Sequence, residues 1–240
     1  MRKTFLVAGV ATLALGTAGI AYAQTPAPTI DATASVSPTK AGTKSKPKSQ
    51  KFTLKVKNSA ESKTTASSIK VTLPSTLKLN TKGLDQCKAS DSELIGNINT
   101  CRKSIAGKGT ANAVLNPFAT NPGPLKFNVQ VVIAKNELLF VLSGAANAVL
   151  HGKIKGRSMT IAIPDGSGGQ PNLQMPITGA YSALLDLSVS MSKKKGKNAL
   201  ITSSGCRSGS HGVAVQVDYV PNPNPPAASN AKDTAEAKCS

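Results

Sequence analysis

The sequence predicts an all-β protein: an antiparallel β-sandwich, immunoglobulin-like or jelly-roll, with a disulfide-stapled loop. Three observations carry this reading. Apolar and polar side chains alternate with period two in many short runs, the pattern of strands buried on one face. Gly, Pro and Asn punctuate those runs. No convincing amphipathic helix interrupts them, and antiparallel strands suit the short turns because parallel pairing needs long crossovers. The chain has 240 residues, room for one large or two small domains. Its 40% hydrophobic content can supply a core and rules out full disorder.

The elements follow in order. Ile30–Val36 alternates polar with small apolar residues and reads as an early strand. Lys40–Lys51 is basic, contains Gly42 and Pro47, and reads as a loop. Phe52, Leu54 and Val56 then face one way while Thr53, Lys55 and Lys57 face the other. Ile69, Val71 and Leu73 repeat the pattern until Pro74, and Leu77–Leu79 is a short piece. Gly83–Gly109 holds two cysteines and no long periodic run, so it reads as a stapled loop or cap, with one helical turn available from Ser90 to Leu94. Strand signals return at Thr110–Leu115, Leu125–Ala134, Glu137–Ser143, Ala146–Lys155, Ser158–Ile163, Ala180–Met191, Asn198–Ser203 and Val213–Val220. Turn signals at 116–117, 121–124, 135–136, 156, 165–166 and 195–196 separate them. The pentapeptide Ala-Asn-Ala-Val-Leu occurs at 111–115 and again at 146–150, a weak internal echo. One β-sandwich domain is expected over residues 24–220, with a Pro-rich C-terminal tail over 221–240.

Residues 1–23 read as a signal peptide. Arg2 and Lys3 precede an uncharged, mostly apolar run that ends in Ala21-Tyr22-Ala23, an A-x-A cleavage signature. Gly9, Gly16 and Gly19 dilute that run and argue against a retained anchor. After cleavage no stretch approaches a transmembrane span, so a secreted or cell-envelope location is expected. Cys87, Cys101, Cys206 and Cys239 then fit two disulfides in an oxidising compartment. Four cysteines allow three pairings. Proximity favours Cys87–Cys101, which leaves Cys206–Cys239 to tie the tail back. No C-x-x-C and no finger-spaced His supports zinc.

A set of segments carries a resemblance: Val71-Thr72-Leu73-Pro74, Leu77–Leu84, Cys87–Asp91, Cys101–Ala111, Tyr181–Leu187, Lys193–Asn198, Gly205-Cys206 and the closing Pro-rich stretch with its late cysteine. Over most of the mature chain these resemble a family of secreted β-rich proteins of high-GC Gram-positive bacteria that carries no assigned activity. The resemblance implies export, a β-rich fold and pairing of the first two cysteines in one loop. It transfers no functional residue.

Catalytic constellations do not stand out. Ser208–Gly212 places His211 beside serines, but without the strand–turn–helix context of a nucleophile elbow it reads as a polar turn. His151 reads as a strand-face residue. Asp165–Gln170 is Gly-rich, yet no Lys-Ser/Thr completes a phosphate cradle. Asp85, Asp91 and Glu93 lack the alternating spacing of a calcium loop. Glu137 and Asp186 lie in strands and are not marked as a glycosidase pair. The sequence therefore points to no enzyme, cofactor or metal.

The charge points outward. Lys+Arg number 29 against 11 Asp+Glu, a formal charge of +18, and signal cleavage removes only Arg2 and Lys3 from that balance. Lysines cluster at Lys44, Lys46 and Lys48, and at Lys193, Lys194, Lys195 and Lys197 on an expected hairpin tip. Lysine is a compact, hydrated charge suited to diffuse attraction. The expected function is weak, salt-sensitive binding of an anionic cell-wall polymer or another extracellular polyanion through these clusters. The alternatives are a structural or adhesion module that contacts another protein, and a secreted hydrolase. Aromatics at 3% weigh against stacking on sugars or bases.

Overall fold

A computed structural model describes residues 28–59, 64–116, 124–176, 178–220 and 230–240. The expected signal peptide, the turns at 117 and 121–123, and the Pro-rich stretch 221–229 lie outside the described residues. The strands are β1 (Ile30–Ser37), β2 (Lys48–Ser49), β3 (Lys51–Asn58), β4 (Ala66–Thr72), β5 (Leu77–Leu79), β6 (Ile105–Asn116), β7 (Leu125–Ala134) and β8 (Glu137–Gly144). They continue as β9 (Ala148–Lys155), β10 (Ser158–Ala162), β11 (Tyr181–Met191), β12 (Lys194–Lys195), β13 (Asn198–Ala199), β14 (Ile201–Ser203), β15 (Ser210–Tyr219) and β16 (Asn230–Lys238). A short helix α1 (Asp91–Gly96) and a 3-10 stretch (Ile98–Ser104) lie between β5 and β6.

The all-β, antiparallel expectation holds, but the strands do not divide into two facing sheets. Eleven of them form one sheet in the order β1-β3-β11-β6-β7-β8-β9-β10-β4-β15-β16, every pairing antiparallel. The sheet curls until β1 and β16 come together, which makes it nearly a barrel. This topology does not carry the expected immunoglobulin-like or jelly-roll sandwich. Gly107 and Gly109 on β6 let the backbone of β11 approach closely. A Cβ at either would fall 2.3 or 2.1 Å from a carbonyl oxygen of β11.

Eleven strands that alternate in direction leave the two edges running the same way. The antiparallel ladder therefore cannot continue across the seam. A different bond closes it. Asp233 on β16 accepts from the Ala32 N–H of β1 at 2.7 Å. Beyond the strands, Ala41 N–H donates to Ser240 O at 2.7 Å and Ser240 N–H to Thr39 O at 3.0 Å. The segment expected as tail is thus partly structural, and β16 pairs with β15 along its whole length. Ala231, Asp233, Ala235 and Ala237 share its inward phase, and the three alanines are buried. Alanine gives so little hydrophobic contrast that the alternation of this strand is faint in sequence.

The disulfides join Cys87 to Cys101 and Cys206 to Cys239. The first staples the cap on the outer face of β7–β9, where Leu94 packs with Val132, Ala134, Leu139, Val141 and Val149. Both faces of these strands are therefore covered, which is why β7 and β8 read as nearly continuous apolar runs. Ser90 and Glu93 start α1 with a capping box. Ser90 Oγ accepts from Glu93 N–H, and Glu93 Oε2 accepts from Ser90 N–H at 2.7 Å.

The second bridge holds β16 at the seam across 33 residues of chain. Replacing Cys206 and Cys239 with alanine is expected to cost about 3–4 kcal/mol from lost loop closure. Urea unfolding would measure that loss. Amide exchange should accelerate first in β16 and β1, and equal acceleration in every strand would count against a weak seam.

Candidate functional site

Among the described residues, one end of the barrel is filled by side chains and the other holds a chamber. We call the filled end lower: it carries the 38–50 loop, β5, β12–β14 and the β7–β8 turn. The small sheet β2-β14-β5 lies at this end, and Leu77, Leu79, Leu200 and Ile201 pack with Val36, Phe52, Met191 and Val213. His211 points inward there and is 1% exposed. Its Nδ1 pairs with Thr76 Oγ1 at 2.7 Å. It is the second residue of β15, not part of a polar turn, and no nucleophile–base arrangement forms with Ser208 or Ser210.

The upper end holds an apolar chamber of about 420 Å³. Its wall is built from strand residues whose alternation points them inward. On β6 these are Ala111, Ala113 and Leu115, and Leu125, Phe127 and Val129 follow on β7. Phe140 and Leu142 on β8, Leu150 on β9 and Ile161 on β10 continue around. Leu184 and Leu187 on β11 complete it, on either side of a bulge. Small residues create the space: Ala66, Ala111, Ala113, Ala145 and Ala146 all line it. The two Ala-Asn-Ala-Val-Leu copies share this wall, with Ala111, Ala113 and Leu115 from one and Ala146 and Leu150 from the other.

The 163–180 segment crosses the upper end between β10 and β11, and Leu173 and Pro176 reach the chamber from it. Leu173 and Gln174 N–H both donate to Pro164 O, and Gln174 Nε2 donates to Ile163 O at 2.7 Å. Ser182, the one polar residue in the described lining, donates its hydroxyl to Leu173 O. Among the described residues no charged side chain lines the chamber. The Gly-rich part of this segment turns through Asp165, which accepts from Ser167 N–H at 2.9 Å, and forms no helix-borne phosphate cradle.

The acids considered from sequence go separate ways. Asp85 pairs with Lys195, whose hydrogen bond pulls its carboxyl below the ordinary range. Glu93 serves the α1 cap. Asp91 meets His151 Nε2 at 3.1 Å, and Glu137 Oε2 meets Nδ1 at 3.2 Å. The two carboxylates flank opposite ring nitrogens, so one ion could not reach all three groups. Among the described residues no group of His, Cys, Asp and Glu is set to hold a metal. Asp186 faces outward, where both its oxygens accept from Asn112 Nδ2, at 3.0 and 3.1 Å.

The lysine clusters both lie at the lower end. Lys48 sits opposite Ser203 of β14, and Lys44 and Lys46 are exposed in the preceding loop. In the β12–β13 hairpin Lys193 donates to Ile105 O at 3.1 Å and Lys195 is held by Asp85, while Lys194 and Lys197 are exposed. Half of the hairpin cluster is therefore tied to its own fold. Comparison with family models, with curated proteins and with solved structures returns no match. Geometry alone supports a functional reading.

The two histidines respond to pH in opposite senses. Burial lowers the His151 pKa, but the hydrogen bonds and charges of Asp91 and Glu137 outweigh it and the net shift is upward. Its contribution is present below about pH 6.5 and is lost as pH rises through the raised value. Burial alone lowers the His211 pKa, so it penalises the fold as pH drops below about 6.5. Stability should peak near that pH. His151→Gln should flatten the alkaline side of the curve and leave the acid side intact. Thermal unfolding across pH 5–9 checks this, and an unchanged alkaline limb would contradict it.

Proposed function

We propose that the protein is a non-enzymatic, exported binding protein that holds one aliphatic molecule in the upper chamber of its barrel. The observation that carries this reading is the chamber itself: about 420 Å³, lined among the described residues by apolar side chains apart from Ser182, whose hydroxyl is bonded within the fold. That volume falls in the range of small-molecule sites, roughly 300–1,000 Å³. The described lining offers no charged side chain to orient a polar substrate or stabilise a developing charge. It can remove methylene groups from water, at about 0.8 kcal/mol each. The ligand class is accordingly an acyl or isoprenoid chain, with any polar head outside the chamber. The two disulfides support an oxidising compartment, in keeping with export.

A second reading, attachment to an anionic polymer through the lysine clusters, is favoured by the charge balance and by the exposure of Lys44, Lys46, Lys48, Lys194 and Lys197. It concerns the outside of the barrel and is compatible with the first.

Displacement of an environment-sensitive dye by a series of straight-chain carboxylates tests the main reading. Affinity should rise about fourfold per added methylene and level off once the chamber is full. Ala113→Leu should move the plateau to shorter chains and weaken the longest by at least about tenfold, while unfolding temperature holds or rises because the void is partly filled. No displacement at any length, or displacement indifferent to chain length and to Ala113→Leu, would overturn the reading.

A further inference from the structure

The register of the sheet aligns lysines that sequence clustering does not bring together. On the outer face, Thr160 of β10 sits opposite Lys153 of β9 on one side and Lys70 of β4 on the other. Gln216 of β15 sits opposite Lys70 on one side and Lys232 of β16 on the other. A single line across five strands thus reads Lys153, Thr160, Lys70, Gln216, Lys232. The three lysines are exposed and stand on alternate strands, about 10 Å apart. Beside the line runs Ser158, Thr72, Ala214 and Thr234, short side chains that leave a shallow depression bordered by Lys70 and Lys232.

Carboxylates close to this line are engaged elsewhere. Asp233 accepts from the Ala32 and Thr234 N–H groups. Asp218 accepts from Ser68 Oγ at 2.8 Å and Gln216 Nε2 at 2.6 Å. Glu236 accepts from Ser210 Oγ, and Glu137, the register neighbour of Lys153, is held by His151. Among the described residues no ion pair neutralises Lys70, Lys153 or Lys232.

We propose that the row Lys153, Lys70 and Lys232, with the hydroxyl and amide groups between them, binds a linear polyol-phosphate polymer along the outer face of the barrel. Ammonium groups at regular intervals suit a flexible chain of phosphodiesters, which needs charge and reach more than bidentate geometry. Two other polyanions fit less well. Single-stranded nucleic acid wants exposed rings, yet Phe52, Phe140 and Tyr219 are buried and Phe127 lines the chamber. A lipid surface wants apolar anchors, and Ile95, in the cap, is the one exposed large hydrophobic residue among those described. The proposal uses the outer face only and does not depend on what the chamber holds.

The test is binding of the full mature chain to poly(glycerol phosphate) across a salt series, with a single-stranded oligonucleotide and phosphatidylglycerol vesicles as parallel probes. Replacing Lys70, Lys153 and Lys232 together with glutamine should weaken poly(glycerol phosphate) at low salt by at least about tenfold and flatten the log–log salt slope by about 2. Unfolding temperature and dye binding in the chamber should stay as in the parent. The charge-matched control Lys78→Gln, Lys82→Gln, Lys88→Gln, at exposed lysines outside the row and outside both sequence clusters, should lose less than about threefold, because it alters net charge equally and leaves the row intact. Equal losses in the two variants, or binding to vesicles or oligonucleotide but not to poly(glycerol phosphate), would overturn the proposal.

Discussion

The volume of the side chains that point into the curled sheet decides what this molecule can do. Strand number and pairing set how wide the interior is, and the inward residues must fill it or leave it open. In the lower half Phe52, Met191, Leu200 and Ile201 fill it. In the upper half Ala66, Ala111, Ala113 and Ala146 do not. Small inward side chains there leave the chamber, and the two disulfides supply about 3 kcal/mol each of stability that side-chain packing at that end does not have to provide.

Parity decides how the barrel closes: an antiparallel ladder cannot span the seam, so side-chain and loop bonds do. Eleven alternating strands present two edges of the same sense, and bare edges invite pairing with other chains. Here the edges meet each other. Asp233 caps an N–H of β1, the loop after β1 bonds to Ser240 through Thr39 and Ala41, and the Cys206–Cys239 bridge anchors the last strand. The outer surface is then free to carry charge. Residues of β4, β9 and β16, far apart in sequence, share one line because the register is fixed by the inward side chains.

Much of the local structure was legible in the sequence. Phe52, Leu54 and Val56 give β3 its full alternation, and the helical turn available from Ser90 to Leu94 is where α1 begins. The cysteines are bonded as their spacing favours. The number of sheets was not legible, because alternation gives each strand an inner face without saying which strands close on which. β16 was hidden by its alanines, and its mixture of Lys, Asp and Glu reads as solvent-facing until β15 is beside it. The partners of His151 come from 14 and 60 residues away, so its sequence neighbours held no trace of them. A chamber is harder still, since a void has no residues of its own. The signals for it were indirect: scarce aromatics and a repeated Ala-Asn-Ala-Val-Leu that puts alanine where a filled barrel wants leucine.

Crystallography under xenon pressure tests the central claim most directly. An apolar chamber of this size stays dry and takes up xenon. The account predicts xenon density between Ala111, Ala113 and Phe140, with no ordered water in its absence. A chamber collapsed by inward movement of β6 and β8, or one filled by hydrogen-bonded waters, would contradict it.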